Sequence, residues 1–117
     1  MSKEKLTLID GSVYEGEVVK GKPHGKGKMS YAKGGFYEGD WVNGDEHGKG
    51  KYVSDGNVYE GDFVEDEVTG KGKYISANGD IYEGDFVNSE FHGKGKMTYP
   101  DGRVQEGNWK NSEFLGK

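Results

Sequence analysis

The sequence predicts an all-β protein, an elongated antiparallel sheet of tandem hairpins, and three observations support this. A short motif returns at a fixed interval, each copy alternates with a period of two, and turn dipeptides separate the runs. The motif is Tyr14-Glu15-Gly16-Glu17, then Tyr37-Glu38-Gly39-Asp40, Tyr59-Glu60-Gly61-Asp62, Tyr82-Glu83-Gly84-Asp85 and a worn Gln105-Glu106-Gly107-Asn108. It recurs at intervals of 23, 22, 23 and 23 residues. Between the copies run Gly25-Lys26-Gly27-Lys28, Gly48-Lys49-Gly50-Lys51, Gly70-Lys71-Gly72-Lys73 and Gly93-Lys94-Gly95-Lys96. The one-residue deficit falls in Ser54-Asp55-Gly56-Asn57, where a loop absorbs it. The units therefore divide as a half-repeat 5–13, repeats 14–36, 37–58, 59–81 and 82–104, and a partial repeat 105–117, together one array over 1–117.

Alternation sets the element type. In Tyr37-Glu38-Gly39-Asp40-Trp41-Val42 one face carries Tyr, Gly and Trp, and the other Glu, Asp and Val. In Gly48-Lys49-Gly50-Lys51-Tyr52-Val53 one face carries Gly, Gly and Tyr, and the other Lys, Lys and Val. Only strands sort residues in this way. The stretch Val42–Gly48 reads as a hairpin turn, and Asp10-Gly11, Asp55-Gly56, Asn78-Gly79 and Asp101-Gly102 mark a second series of turns. Short connectors make every neighbour antiparallel. About ten strands are expected from Leu6 to Lys110, an array roughly 45–50 Å long at ~4.8 Å per strand. Glycines beside the aromatic positions leave hollows across which rings can lie, and they let the sheet bend towards that face.

Composition bounds the function. Hydrophobic residues make up 31% and charged residues 32%, a balance that would suggest disorder if the 22 glycines were not periodic. A net charge of −5 argues against nucleic-acid binding, which draws on an excess of Lys and Arg. There is no cysteine and no apolar run long enough for a membrane helix, so a cytoplasmic protein is expected, peripheral at most to a membrane or the cytoskeleton. Residues repeated identically along a rod make poor catalysts, which need one unique constellation, so neither an enzyme nor a cofactor is expected. His24, His47 and His92 recur at one position, but successive units lie ~9–10 Å apart and Thr69 interrupts the series, so no metal site is expected. Gly-Lys-Gly-Lys lacks phosphate-loop spacing, and Glu65-Asp66-Glu67 lacks the alternating ligands of a calcium loop.

Tyr-Glu-Gly-Asp-Trp/Phe followed by His-Gly-Lys-Gly-Lys at this spacing is similar to the MORN (membrane occupation and recognition nexus) repeat. The resemblance implies a single-layer, twisted and curved sheet with aromatics and glycines on the concave side, and a non-catalytic role. It also implies binding to acidic phospholipids, dimerisation or capture of a helical partner. Val18, Gln105 and Thr69 depart from the pattern.

Two surfaces are candidates. The aromatic column offers Tyr37, Trp41, Tyr52, Tyr59, Phe63, Tyr74, Tyr82 and Phe86 as a mixed core and groove for a protein or peptide partner, or for another copy of the chain. Tyr14, Tyr31, Tyr99 and Trp109 belong to the same column. The lysines Lys26, Lys28, Lys49, Lys51, Lys71, Lys73, Lys94 and Lys96 form the alternative, a face for acidic phospholipids. Each pair faces Glu and Asp on the next strand, which makes an internally paired, solvated face the stronger expectation.

Overall fold

The computed structural model describes residues 2–117, and those residues form one open antiparallel sheet without a helix. Its strands are β1 Ser2–Thr7, β2 Val13–Val19, β3 Lys22–Ser30, β4 Phe36–Val42, β5 Asp45–Ser54 and β6 Asn57–Val64. They continue as β7 Glu67–Ile75, β8 Ile81–Val87, β9 Glu90–Thr98, β10 Val104–Lys110 and β11 Glu113–Gly116. Each strand pairs with the next in chain order, and the molecule measures 47 × 23 × 18 Å. There are eleven strands where about ten were expected. The extra one, β11, carries Phe114 opposite Trp109, with ring centroids 5.0 Å apart.

Register lines the side chains into three rows on one face. The central row is glycine, paired from Gly16 through Gly27, Gly39, Gly50, Gly61, Gly72, Gly84 and Gly95 to Gly107. One flanking row runs Leu6, Tyr14, Met29, Tyr37, Tyr52, Tyr59, Tyr74, Tyr82, Met97 and Gln105. The other holds Val18, Trp41, Phe63, Phe86 and Trp109 against Pro23, Glu46, Val68, Phe91 and Phe114. A single layer has no opposing sheet to bury these rings, so the glycine row does it. The Tyr37 ring lies flat over Gly50, so close that a methyl there would overlap its ring and hydroxyl. Its hydroxyl donates to the Asp40 carbonyl at 2.9 Å, and Tyr14 and Tyr82 do the same to Glu17 and Asp85 at 2.6 and 2.8 Å. All three tyrosines are fully buried. Edge-to-face contacts join the rows, Trp41 standing 5.5 Å from Tyr14 and 5.0 Å from Tyr37, a geometry that favours ring edge against ring face.

The turn expected over Val42–Gly48 is shorter than that. Only Asn43-Gly44 turns, both with positive φ, and Asp45–His47 already belong to β5. Its counterparts Lys20-Gly21, Glu65-Asp66, Asn88-Ser89 and Asn111-Ser112 have the same two positive φ values, the form that matches strand twist. The second turn series closes with five-residue loops such as Tyr31–Gly35 and Ser76–Asp80. Asp55-Gly56 instead makes a two-residue turn, which is where the 22-residue interval loses its residue.

Four of the tight turns are stitched to the preceding unit. The amides of Gly44, Asp66, Ser89 and Ser112 donate to the carbonyls of Pro23, Glu46, Val68 and Phe91 at 2.8–2.9 Å. In return, the amides of Glu46, Val68 and Phe91 donate to the side chains of Asp66, Ser89 and Ser112. Pro23 has no N–H to satisfy, and there the turn residue is the side-chain-free Gly44. Asp66, Ser89 and Ser112 accept a left-handed backbone because their side chains meet a buried donor that glycine would leave unpaired.

Candidate functional site

The rings named from the sequence separate into two groups. Tyr37, Trp41, Phe63, Tyr82 and Phe86 are no more than 3% exposed; Tyr37, Tyr82 and Phe86 belong to the interior of the sheet, while Trp41 and Phe63 also form the floor of a pocket. The physical reason is the glycine row, which buries a ring without a second layer. Tyr52, Tyr59 and Tyr74 remain half-buried, and so does Tyr31. These four stand together, Tyr52 opposite Tyr59, with Tyr31–Tyr52 at 5.9 Å and Tyr59–Tyr74 at 4.6 Å between centroids. Tyr31, Tyr52 and Tyr59 border a pocket of about 520 Å³ over the second and third hairpins, lined also by Trp41, Phe63, Val68, Lys33, Glu46, Asp66 and Glu67; Tyr74 is not part of its lining.

Tyr59 explains part of the opening. Its counterparts Tyr14, Tyr37 and Tyr82 tuck beneath glycine and donate to the carbonyl three residues on, but Tyr59 makes no such bond and leans on Tyr74. The Phe86 ring comes closest to the Gly72 hollow in its place.

Glu46 is the second feature. It alternates with Gly48 and Gly50 on β5, so it faces the aromatic side, and it is only 5% exposed. Its Oε2 accepts a short hydrogen bond from the Tyr31 hydroxyl. Burial pushes its carboxyl up to about 7. The Tyr31 hydrogen bond works against that rise, and the charges of Asp66 and Glu67 add to it. Burial, reinforced by Glu46, also holds the Tyr31 hydroxyl well above its ordinary range, so it stays a donor. Sequence reading missed this residue because positions 43–48 looked like one turn. The parity of Glu46 with Gly48 and Gly50 was the signal that places it on the inner face.

The opposite face carries the lysines. Lys28, Lys51, Lys73 and Lys96 each stand between two glutamates, in the sequence Glu15, Lys28, Glu38, Lys51, Glu60, Lys73, Glu83, Lys96 and Glu106 across the strands. In the parallel row Lys26, Lys49 and Lys71 form ion pairs with Asp40, Asp62 and Asp85, while Lys94 lies opposite Asn108. The Lys71 ammonium beside Asp85 holds that carboxyl below its ordinary value, and the Lys94 amide accepted at 3.2 Å adds to this. Seven of these eight lysines thus face a carboxylate across the strands, and Lys94 is the exception.

Two of the histidines serve the turns. The Nδ1 atoms of His24 and His47 accept from the amides of Asn43 and Glu65 at 3.2 and 3.4 Å, and Thr69 Oγ1 does the same for Asn88. The departure at Thr69 therefore preserves the contact. Among the described residues no cluster of His, Asp and Glu is arranged to hold a metal ion, and no helix is long and apolar enough to cross a membrane.

A family model, the MORN repeat, matches residues 14–36, 37–58, 59–81 and 82–102. A search of curated proteins finds no match. Four consecutive matches over most of the chain make this protein a member of the MORN repeat family, a non-catalytic repeat family generally associated with membrane- and protein-binding modules.

Proposed function

We propose that this protein is a binding module whose aromatic face, between the second and third hairpins, receives a peptide or protein partner or another copy of the chain. The observation that carries this reading is that three half-buried tyrosines, Tyr31, Tyr52 and Tyr59, gather around one pocket, whereas their neighbours Tyr37, Tyr82 and Phe86 are sealed in the sheet. Tyrosine combines a large apolar body with a polar tip and loses little rotamer entropy on binding, which suits it to recognition. The lysine face is the weaker candidate. Lys26, Lys49 and Lys71 are already ion-paired and Lys28, Lys51, Lys73 and Lys96 lie between glutamates, so at these seven a lipid phosphate would have to compete with protein acids. The test is selection of displayed random peptides on the whole protein and on a Tyr52→Ser/Tyr59→Ser variant, with light scattering for mass. Sequences enriched on the first and lost on the second support the groove. No enrichment together with a strictly monomeric chain sinks it.

A further inference from the structure

We infer that the pocket between the second and third hairpins is a cation site, which takes a lysine or arginine side chain from a basic segment of the partner. This rests on the groove reading above and adds its chemistry. The pocket has an aromatic wall, Tyr31, Tyr52, Tyr59 and Trp41, and an acidic side, Glu46, Asp66 and Glu67. Rings and carboxylates around one hollow are the environment that a desolvated ammonium or guanidinium prefers. None of the three acids takes part in an ion pair among the described residues, although every Asp of the lysine face from Asp40 to Asp85 does. Each acid is also already oriented. Tyr31 holds Glu46, the Glu46 amide donates to Asp66 Oδ1 at 2.7 Å, and Ser89 donates to Glu67 Oε2 at 2.6 Å.

The repeat supplies its own control. The positions equivalent to Glu46 are Pro23, Val68, Phe91 and Phe114, and those equivalent to Asp66 are Gly21, Gly44, Ser89 and Ser112. Acids at both positions coincide only here. A buried carboxylate does nothing for the sheet that Val68 and Phe91 do not do better, since burying it costs solvation. The groups around Glu46 are Tyr31 and Lys33 from the β3–β4 loop, Tyr37 on β4, Tyr52 on β5, Tyr59 on β6, Asp66 from the β6–β7 turn and Glu67 on β7. Lys33 is the single cation among them, and it is exposed at the rim.

The experiment uses the whole protein and a series of short uncharged peptides that differ only in a central lysine, arginine or norleucine, followed by Trp fluorescence and by NMR of the tyrosine rings. Lysine and arginine peptides are expected to bind at least ~10-fold tighter than the norleucine peptide, the scale of one desolvated charge-assisted contact. Because the cation must find Glu46 ionised, its affinity should rise about tenfold between pH 6 and pH 8, with release of a proton. Glu46→Gln keeps an acceptor for Tyr31 and should weaken the charge preference, which Asp66 and Glu67 then carry alone, and abolish the pH dependence. Lys33→Glu, at an exposed position, should tighten lysine-peptide binding several-fold at low salt. Equal binding of lysine and norleucine peptides overturns the cation site and leaves the groove standing. A charge preference that is undiminished in Glu46→Gln also overturns it. Failure of every peptide to bind, with no peptide selected from the library either, removes both readings.

Discussion

The second and fourth hairpins have the same backbone, the same turn and the same buried tyrosine, but differently finished surfaces. In the fourth, Phe91 stacks on Tyr82 at 4.0 Å and 12°, Trp109 closes against both, and Met97 fills the adjoining position. In the second, Glu46 occupies the place of Phe91 and Tyr52 that of Met97, and the surface opens into a pocket. The comparison separates two jobs within one repeat. Tyrosine over glycine builds the sheet, and the column of Pro23, Glu46, Val68, Phe91 and Phe114 decides whether a given stretch is sealed or available. The third hairpin adds a variation, since Tyr59 is untucked and its glycine hollow is left to Phe86.

The largest effect should come from filling a glycine hollow. Gly95→Ala places a methyl where the Tyr82 ring lies, so it should cost about 3 kcal/mol or more by overpacking and loss of the buried ring. In Gly72→Ala the nearest atoms are the Glu60 carbonyl at 3.0 Å and Phe86 at 3.1 Å, and the cost should be ~1 kcal/mol. Chemical denaturation of the two variants reads the difference directly, and equal losses would erase the distinction between tucked and untucked tyrosines.

Next in size is the pH dependence that Glu46 imposes. Its carboxyl is raised from 4.5 to about 7 on folding, so the folded chain holds a proton that the unfolded chain releases. The associated stability is fully present below pH 4.5 and is lost as pH rises through 7. Relative to Glu46→Gln, the parent protein should therefore lose about 2–3 kcal/mol between those limits. The carboxyls of Asp40 and Asp85, held below their ordinary values, act in the opposite sense at lower pH, so the difference between the two proteins is the quantity to measure. Parallel pH profiles would place the Glu46 carboxyl in an ordinary environment.

A smaller contrast concerns hydroxyls. Tyr82→Phe removes the bond to the Asp85 carbonyl and should cost ~1–2 kcal/mol, whereas Tyr59→Phe, with no equivalent bond, should be close to neutral. Thermal melts of the pair settle the point. Smallest of all is Lys71→Gln. The Lys71–Asp85 pair is exposed, its contribution should be at most ~0.5 kcal/mol, and it should vanish at high salt.

The fold was readable because it is periodic. Tyr37, Gly39 and Trp41 announce their shared face by parity, and Gly50 announces a hollow beside it, since alternation is a property of the strand alone. The turn chemistry was only partly readable. Asn43-Gly44 is recognisable, but Asp66, Ser89 and Ser112 adopt the same left-handed backbone for a reason that lies in the neighbouring unit, the amides of Glu46, Val68 and Phe91. The candidate site was the least legible. Tyr37 and Tyr59 occupy the same motif position, yet one is interior and the other is rim.

By itself, then, the sequence determined the strand type, the hairpin order, the placement of the lysines and carboxylates on the face opposite the rings, and the MORN pattern, because each depends on spacing along one chain. The tertiary structure decided which rings are buried, that Glu46 is buried beside Tyr31, and that Asp66 and Glu67 stand at the same pocket. Those properties depend on cross-strand register and on how much water neighbouring units exclude, and a repeat distributes both unevenly even where its letters are alike.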